Sequence, residues 1–222
     1  MAVCVLSIGT ELTRGELVNT NAAWLGEELT KLGFEVVEHV VVDDDLPRLA
    51  ELVARLAKRH DVVVATGGLG PTTDDLTAEA VARAMGVELE RDPVVVDAIA
   101  ERFRSFGREM PASNAKQADF PSGAVVLPNP IGTAPGFSVE LQGARLFFTP
   151  GVPREMKQLF QEEIAPAIAD LAEPRTHQLH LRTFGMTESA VGQALHGLED
   201  RHDGLTLGYR AHFPEIEVKV HV

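Results

Sequence analysis

Two kinds of apolar pattern alternate along the first two thirds of the chain. Short, mainly apolar runs at Val3–Ile8, Phe34–Val42 and Val62–Ala65 predict strands, the first and third buried on both faces. Between them, apolar positions recur at helical spacing. Ala22–Leu32 predicts a helix with Thr20 or Asn21 as N-cap and Gly33 as a left-handed stop. Leu46–Arg59 predicts a second helix, capped by Asp45, with Pro47 in its first turn and Leu49, Leu52, Val53 and Leu56 on one stripe. A glycine-rich loop then leads into a helix from Leu76 to Met85, ended by Gly86. Pro93–Phe106 predicts another, capped by Asp92 and stopped by Gly107. Arg108–Pro121 gives no sustained period beyond one short turn at Ser113. Val125–Leu127, Phe137–Leu141 and Leu146–Thr149 predict strands, and Pro153–Leu171 a helix kinked or broken at Pro166.

Strands alternating with helices predict an α/β fold over residues 1–172: a doubly wound, three-layer, mostly parallel sheet. Such sheets bind ligands at the C-terminal ends of their strands. Gly9–Asn21, Thr66–Asp75 and Thr149–Glu155 all follow predicted strands and are expected to converge. After Glu173-Pro174 the pattern changes. His177–Phe184, Leu205–Arg210 and Ile216–Val222 read as strands and Glu188–Leu198 as a helix, a small α+β domain over 173–222. One helix is thin cover for a sheet's apolar face, so this second domain is expected to be incomplete and the natural protein longer.

Composition narrows the partners. With 45% apolar residues in 222, the chain can bury a sizeable core. A net charge of −13 repels nucleic-acid backbone and anionic membrane, so neither is an expected partner. An anionic ligand must be held by local devices: backbone amides, a helix N-terminus or a bound cation. The single cysteine, Cys4, lies in an apolar run and reads as a buried structural thiol. It permits no disulfide framework, and no signal-like or membrane-spanning stretch is evident, so a cytoplasmic protein is expected.

The chemistry concentrates in four loops. In Thr66–Thr77, three glycines let a backbone approach a ligand and turn its amides toward it, while Asp74 and Asp75 open the next helix. The alternative is a tight turn with either aspartate as an ordinary N-cap. Paired carboxylates suit a divalent metal better than direct phosphate contact. The loop is neither a Walker A motif nor a dinucleotide fingerprint. Gly9–Gly15 with Asn19–Asn21 offers Glu11 and two asparagines able to read a ring or ribose edge, or to cap the following helix. Asn129–Gly136 is a bent loop fixed by two prolines and two glycines, either exposing backbone groups to a ligand or serving as a rigid hairpin connection. Pro150–Lys157 runs from a strand into a helix, where the dipole favours an anion; Arg154 adds charge, and Lys157 reads as solvent-facing. Asp43–Asp45 reads as a solvated loop plus a cap, and His177 with His180 lack zinc-site spacing.

Together these loops resemble the N-terminal domain of the competence/damage-inducible CinA family, within the molybdopterin-binding superfamily that includes MogA and MoeA. The resemblance runs from Val5 to about Phe160 and rests on GGLGPTTDDLT (67–77), NPIGTAPGF (129–137) and PGVPREMK (150–157), supported by GTEL (9–12), NTNA (19–22) and SNAKQA (113–118). The tail resembles the small KH-like domain that follows in CinA proteins; the deamidase domain found in many of them has no counterpart in this sequence. The resemblance implies a metal-dependent nucleotide pyrophosphatase acting on ADP-ribose or a related dinucleotide. Other readings are molybdopterin binding in molybdenum-cofactor biosynthesis, or a non-catalytic nucleotide-binding module.

It implies a divalent metal (Mg, Mn, Co or Ni), with a monovalent cation as a companion, and a homodimer. Asp75 and Asp74 are expected to hold the metal and to serve catalysis with Glu11. The ligand is expected against Thr10, Asn19 and Asn21; Gly67, Gly68, Leu69, Gly70, Pro71, Thr72 and Thr77; Asn114 and Lys116; Gly132, Thr133 and Ala134; and Pro150, Gly151, Pro153 and Glu155. The superfamily often carries aspartate where Thr10 stands, which leaves Glu11 as the acid of that loop.

Overall fold

The computed structural model describes residues 1–172 and 178–221. The predicted boundary at 172/173, the start of a strand at His177, and Val222 fall outside them. The chain begins β1 (Ala2–Ile8), α1 (Thr10–Thr13), α2 (Thr20–Lys31), β2 (Glu35–Val42), α3 (Leu46–Ala57), β3 (Val62–Thr66), α4 (Thr77–Met85), β4 (Leu89–Arg91) and α5 (Pro93–Ser105). A 3-10 segment (Ala112–Ala118), β5 (Asp119–Pro121), β6 (Val125–Leu127), β7 (Gly136–Leu141) and β8 (Ala144–Thr149) follow. The helix α6 (Pro153–Leu159) passes through a π turn (Phe160–Ile164) into α7 (Ala165–Ile168).

Six strands form the main sheet in the order β2-β1-β3-β8-β7-β6. The four from β2 to β8 run parallel, while β7 and β6 add antiparallel partners at one edge. Alternation along β1 explains the three layers. Val3 and Val5 pack with Leu25 and Leu29 of α2 and Met156 and Leu159 of α6. Cys4, Leu6 and Ile8 face the other way, with Leu49, Leu52, Val53 and Leu56 of α3 and Ala80 and Val81 of α4. The predicted stripe on α3 is therefore its buried face. Every residue of β3 is buried, as its apolar run requires.

Several expectations need correcting. The cap of α2 is Asn19, whose side chain accepts from the Ala22 amide, so the helix starts at Thr20 and neither Thr20 nor Asn21 is the cap. The region after β1 is not all loop, since α1 forms one helical turn there. The two short strands β4 and β5 pair antiparallel across the stretch without a clear period. Of the kink or break expected at Pro166, no break occurs, and the helix continues through Ile168. The π turn shifts the hydrogen-bond register just upstream, which accommodates the missing proline N–H.

The tail contains β9 (Gln178–Phe184), α8 (Glu188–Ala194), β10 (Thr206–His212) and β11 (Glu215–His221). Its antiparallel sheet has the order β10-β11-β9, with Val191, Ile216 and Val218 as buried core. α8 is shorter than predicted because the chain beyond Ala194 turns about Gly197, which is left-handed at φ 76°.

Candidate functional site

Register places the site. Ser7 of β1 pairs with Thr66 of β3, and Thr66 with Thr149 of β8, so three neighbouring strands end at one level. Their loops emerge side by side and wall a cleft of about 540 Å³. Hydroxyls lock this edge. Thr66 Oγ1 donates to the Pro150 carbonyl at 2.9 Å, Thr149 Oγ1 to Ala65 at 3.0 Å, and the Gly67 amide to Thr149 at 3.0 Å. Asn21 Nδ2 bridges Thr66 Oγ1 and the Gly151 carbonyl, at 3.2 and 2.8 Å. Its Oδ1 is buried without a hydrogen-bond partner among the described residues, and Asn21 lines the cleft.

The glycines of the β3–α4 loop do different jobs. Gly67, at φ 112°, passes so close to Ile8 that a Cβ would overlap that residue's carbonyl oxygen. Gly68, at φ 66°, leaves room for Thr77, whose buried hydroxyl donates to the Gly67 carbonyl at 3.0 Å. Gly70 has no positive φ; a Cβ there would stand 2.5 Å from the Asp75 carboxylate. Among the described residues, the amides of Gly68, Leu69 and Gly70 donate to no protein acceptor.

Neither aspartate caps α4, whose N-cap is Leu76 and which has no side-chain cap. Both carboxylates converge instead on the Thr72 hydroxyl, and Asp75 also accepts from the Thr72 amide at 2.9 Å. That hydroxyl has one proton for two carboxylates, so the negative charge of the pair is incompletely answered. The hydroxyl also holds the Asp74 carboxyl below the usual carboxylate range. Lys116 Nζ donates to the Thr72 carbonyl at 2.7 Å and so pins the turn.

Of the predicted residues, Glu11, Asn19, Asn21, Gly67, Gly68, Leu69, Gly70, Pro71, Asp74, Asp75, Thr133, Ala134, Pro150, Gly151, Pro153 and Glu155 line the cleft. Six do not. Thr10 turns its amide and hydroxyl to Asp44, each at 2.8 Å. Thr72 and Thr77 shape the glycine loop from within. Asn114 is buried against Gln117 at 2.8 Å. Lys116 faces a smaller cavity on the far side of the loop. Gly132 makes room for Glu155, which also accepts from Asn129 Nδ2 at 2.6 Å. Asn19 is spent on capping and on Ser7, with Nδ2 2.9 Å from Ser7 Oγ. Lys157, read as solvent-facing, lies over the Trp24 ring, 5.2 Å from its centroid.

Asp44 overturns the reading of its run as a solvated loop, because it lines the cleft and organises Thr10. Its position just beyond the end of β2, beside β1, is the signal that could have found it. Leu17 and Val18 also line the cleft as exposed apolar residues. The cleft's acidic residues are Glu11, Asp44, Asp74, Asp75 and Glu155, and among the described residues its walls include no lysine, arginine or histidine.

Paired carboxylates with room for ligand oxygens and water fit a hard divalent cation, which commonly takes one or two protein carboxylates and completes its shell from phosphate and water. No third carboxylate, His or Cys joins Asp74 and Asp75 in a compact cluster among the described residues. The shell would have to be completed by ligand and water. No described helix is long and apolar enough to cross a membrane.

Comparison with known proteins adds the family context. Residues 4–170 match the family described as "Probable molybdopterin binding domain". A CinA-like protein of Citrifermentans bemidjiense is 41% identical over 218 residues, 98% of this chain and 53% of that one. One from Anaeromyxobacter sp. (strain Fw109-5) is 43% identical over 97% of this chain and 53% of its own length. The chain thus spans about half the length of the curated relatives it matches. Among solved structures, CinA from Thermoplasma acidophilum, described as of unknown function, superposes with a TM-score of 0.68 at 34% identity, covering 76% of this chain and 97% of that one. A molybdopterin biosynthesis protein from Mycobacterium abscessus shares the fold at 19% identity and TM-score 0.51, over 77% of this chain and 92% of that one.

Proposed function

This chain belongs to the molybdopterin-binding domain family, with CinA-like proteins among its relatives, and on that premise we propose that its cleft hydrolyses the pyrophosphate bond of ADP-ribose or a related dinucleotide with a divalent cation. The observation that carries the metal dependence is the wall chemistry. Five carboxylates, Glu11, Asp44, Asp74, Asp75 and Glu155, share the wall with no cationic side chain among the described residues; Lys116 acts on Asp74 only from the neighbouring cavity. Such a cleft repels a free diphosphate and accepts it only with its charge neutralised. Asp75 and Asp74 are the residues that would hold Mg, Mn, Co or Ni, with a monovalent cation as a further candidate. When bound, the divalent ion supplies charge neutralisation between these carboxylates and the diphosphate.

The chain's own groups do the rest. The amides of Gly68 and Gly70, which have no protein acceptor among the described residues, donate to phosphate oxygens, and the uncapped start of α6 adds its positive dipole end. Asn21, which lines the cleft, lies against the ribose or base. Glu11 takes the proton of the attacking water. The new phosphorus–oxygen bond forms as the bridging phosphorus–oxygen bond breaks, and ADP-ribose yields AMP and ribose 5-phosphate. Leu17 and Val18 give the cleft an apolar rim for a flat ring. The proposal includes a cytoplasmic setting, a homodimer to be tested by light scattering, and 173–222 as a separate small domain.

The family description favours one other reading, a pterin ligand without hydrolysis. One experiment separates the two. The purified chain is incubated with ADP-ribose, NAD or FAD and each metal, and AMP release is followed. Metal-dependent AMP release that disappears in folded Asp75→Asn supports hydrolysis. Pterin binding with no AMP at any metal supports the second reading and overturns the first.

A further inference from the structure

At the opposite end of β1 lies a cluster that the cleft does not use. Cys4 pairs in register with Glu38 of β2, beside an irregularity in the ladder between Val3 and Cys4. His60, in the turn before β3, reaches over to them, with Nε2 2.9 Å from Glu38 Oε2. One thiol, one carboxylate oxygen and one ring nitrogen all lie within 4.8 Å of one another. Cys4 is fully buried and His60 only 7% exposed, while Glu38 keeps a partly open side chain.

Among the described residues His60 Nδ1 has no hydrogen-bond partner, so Glu38 is the ring's one side-chain partner. A neutral imidazole keeps one ring nitrogen unprotonated, and that lone pair is a good metal ligand.

We propose that Cys4, Glu38 and His60 form a binding site for a thiophilic divalent cation of the zinc class, separate from the cleft. Sulfur, nitrogen and oxygen are the donor set zinc takes. Zinc bonds of roughly 2.0–2.3 Å place tetrahedral ligand atoms roughly 3.3–3.7 Å apart, inside the 4.8 Å span of the cluster, with the 2.9 Å Glu38–His60 pair opening slightly to admit the ion. Water fills the fourth position on the open side of Glu38. Binding releases the thiol proton to solvent as the sulfur–metal bond forms, leaving one carboxylate and one thiolate to balance the two charges of the ion. Burial, then the nearby Glu38, hold the metal-free thiol up at about 12, while Arg55 and Arg59 pull it down. The same two arginines are the cations against which the ion must compete. The site would tie β1, β2 and the α3–β3 turn together at the edge of the sheet away from the cleft.

The test uses cobalt(II) added to the metal-stripped full chain. The expected result is a sulfur-to-cobalt charge-transfer band saturating at one equivalent and displaced by zinc. Cys4 is the only cysteine, so the band reports this site alone. The band should persist in Asp75→Asn, which separates it from any cation in the cleft, and vanish in Cys4→Ser. Glu38→Gln, at the open side of the cluster, should stay folded and weaken cobalt binding at least tenfold. Absence of the band in the folded wild-type chain, or unchanged affinity in Glu38→Gln, would overturn the proposal.

Discussion

Gly67 and Gly70 sit three positions apart, yet the same substitution should do opposite things to them. At Gly67 an alanine must hold φ 112° and place its Cβ onto the Ile8 carbonyl oxygen. The conformation alone costs roughly 1–3 kcal/mol. The overlap is with backbone at the end of β1, which cannot rotate aside, and overpacking of that kind adds about 1–3 kcal/mol. A midpoint near 4 kcal/mol lowers the melting temperature of a chain this size by roughly 12 °C. At Gly70 the obstacle is the Asp75 carboxylate, 2.5 Å from an added Cβ and at the end of a side chain. Gly70→Ala should therefore melt within about 3 °C of wild type, while displacing Asp75 and lowering metal-dependent AMP release at least tenfold. Calorimetry and the AMP assay read both variants. A Gly67→Ala protein melting within about 3 °C of wild type, or equal losses of stability in the two, would refute this division of labour.

Other expectations follow from single contacts. Thr66→Val keeps the shape of a buried side chain but removes the hydroxyl shared by Pro150 and Asn21; urea melts should show a loss of about 1–3 kcal/mol. Thr72→Val removes the hydroxyl that lowers the Asp74 pKa. In wild type that carboxylate favours the folded state above the ordinary carboxylate range, and the contribution fades as pH falls through the lowered value. Carboxyl-carbon NMR should show the Asp74 midpoint moving upward in the variant, and an unmoved midpoint would remove Thr72 as the cause. The metal-free Cys4 thiol, raised from 9.0 to about 12 mainly by burial, favours folding below pH 9 and loses that contribution as pH climbs toward 12. Urea midpoints should fall more steeply over this alkaline range in wild type than in Cys4→Ala, and parallel curves would contradict it.

Legibility in the sequence followed how local each signal was. The buried run Val62–Ala65 and the stripe on α3 are written in consecutive or helically spaced residues, so they were readable. So was the convergence of three loops, because a parallel α/β order puts strand ends at one edge. The cap of α2 was misplaced by one or two positions, because Asn19, Thr20 and Asn21 are all competent caps and only backbone angles choose between them. The pair β4 and β5 stayed hidden because its three-residue strands are too short to show a period.

Site residues divide along the same line. Gly67, Gly68 and Gly70 were found as one motif, but their separate jobs depend on partners far away in sequence: the Ile8 carbonyl, the Thr77 hydroxyl and the Asp75 carboxylate. Asp44 was passed over because a run of three aspartates after a strand reads as solvent-facing. Its function appears only once β2 is seen beside β1, where Thr10 gives both its donors to the Asp44 carboxylate. A threonine carries no charge, but at position 10 it anchors the Asp44 carboxylate through both an amide and a hydroxyl. Asp44 after β2 and Glu11 after β1 therefore line the same cleft, one acid from each of two neighbouring strand ends, although they lie far apart in sequence.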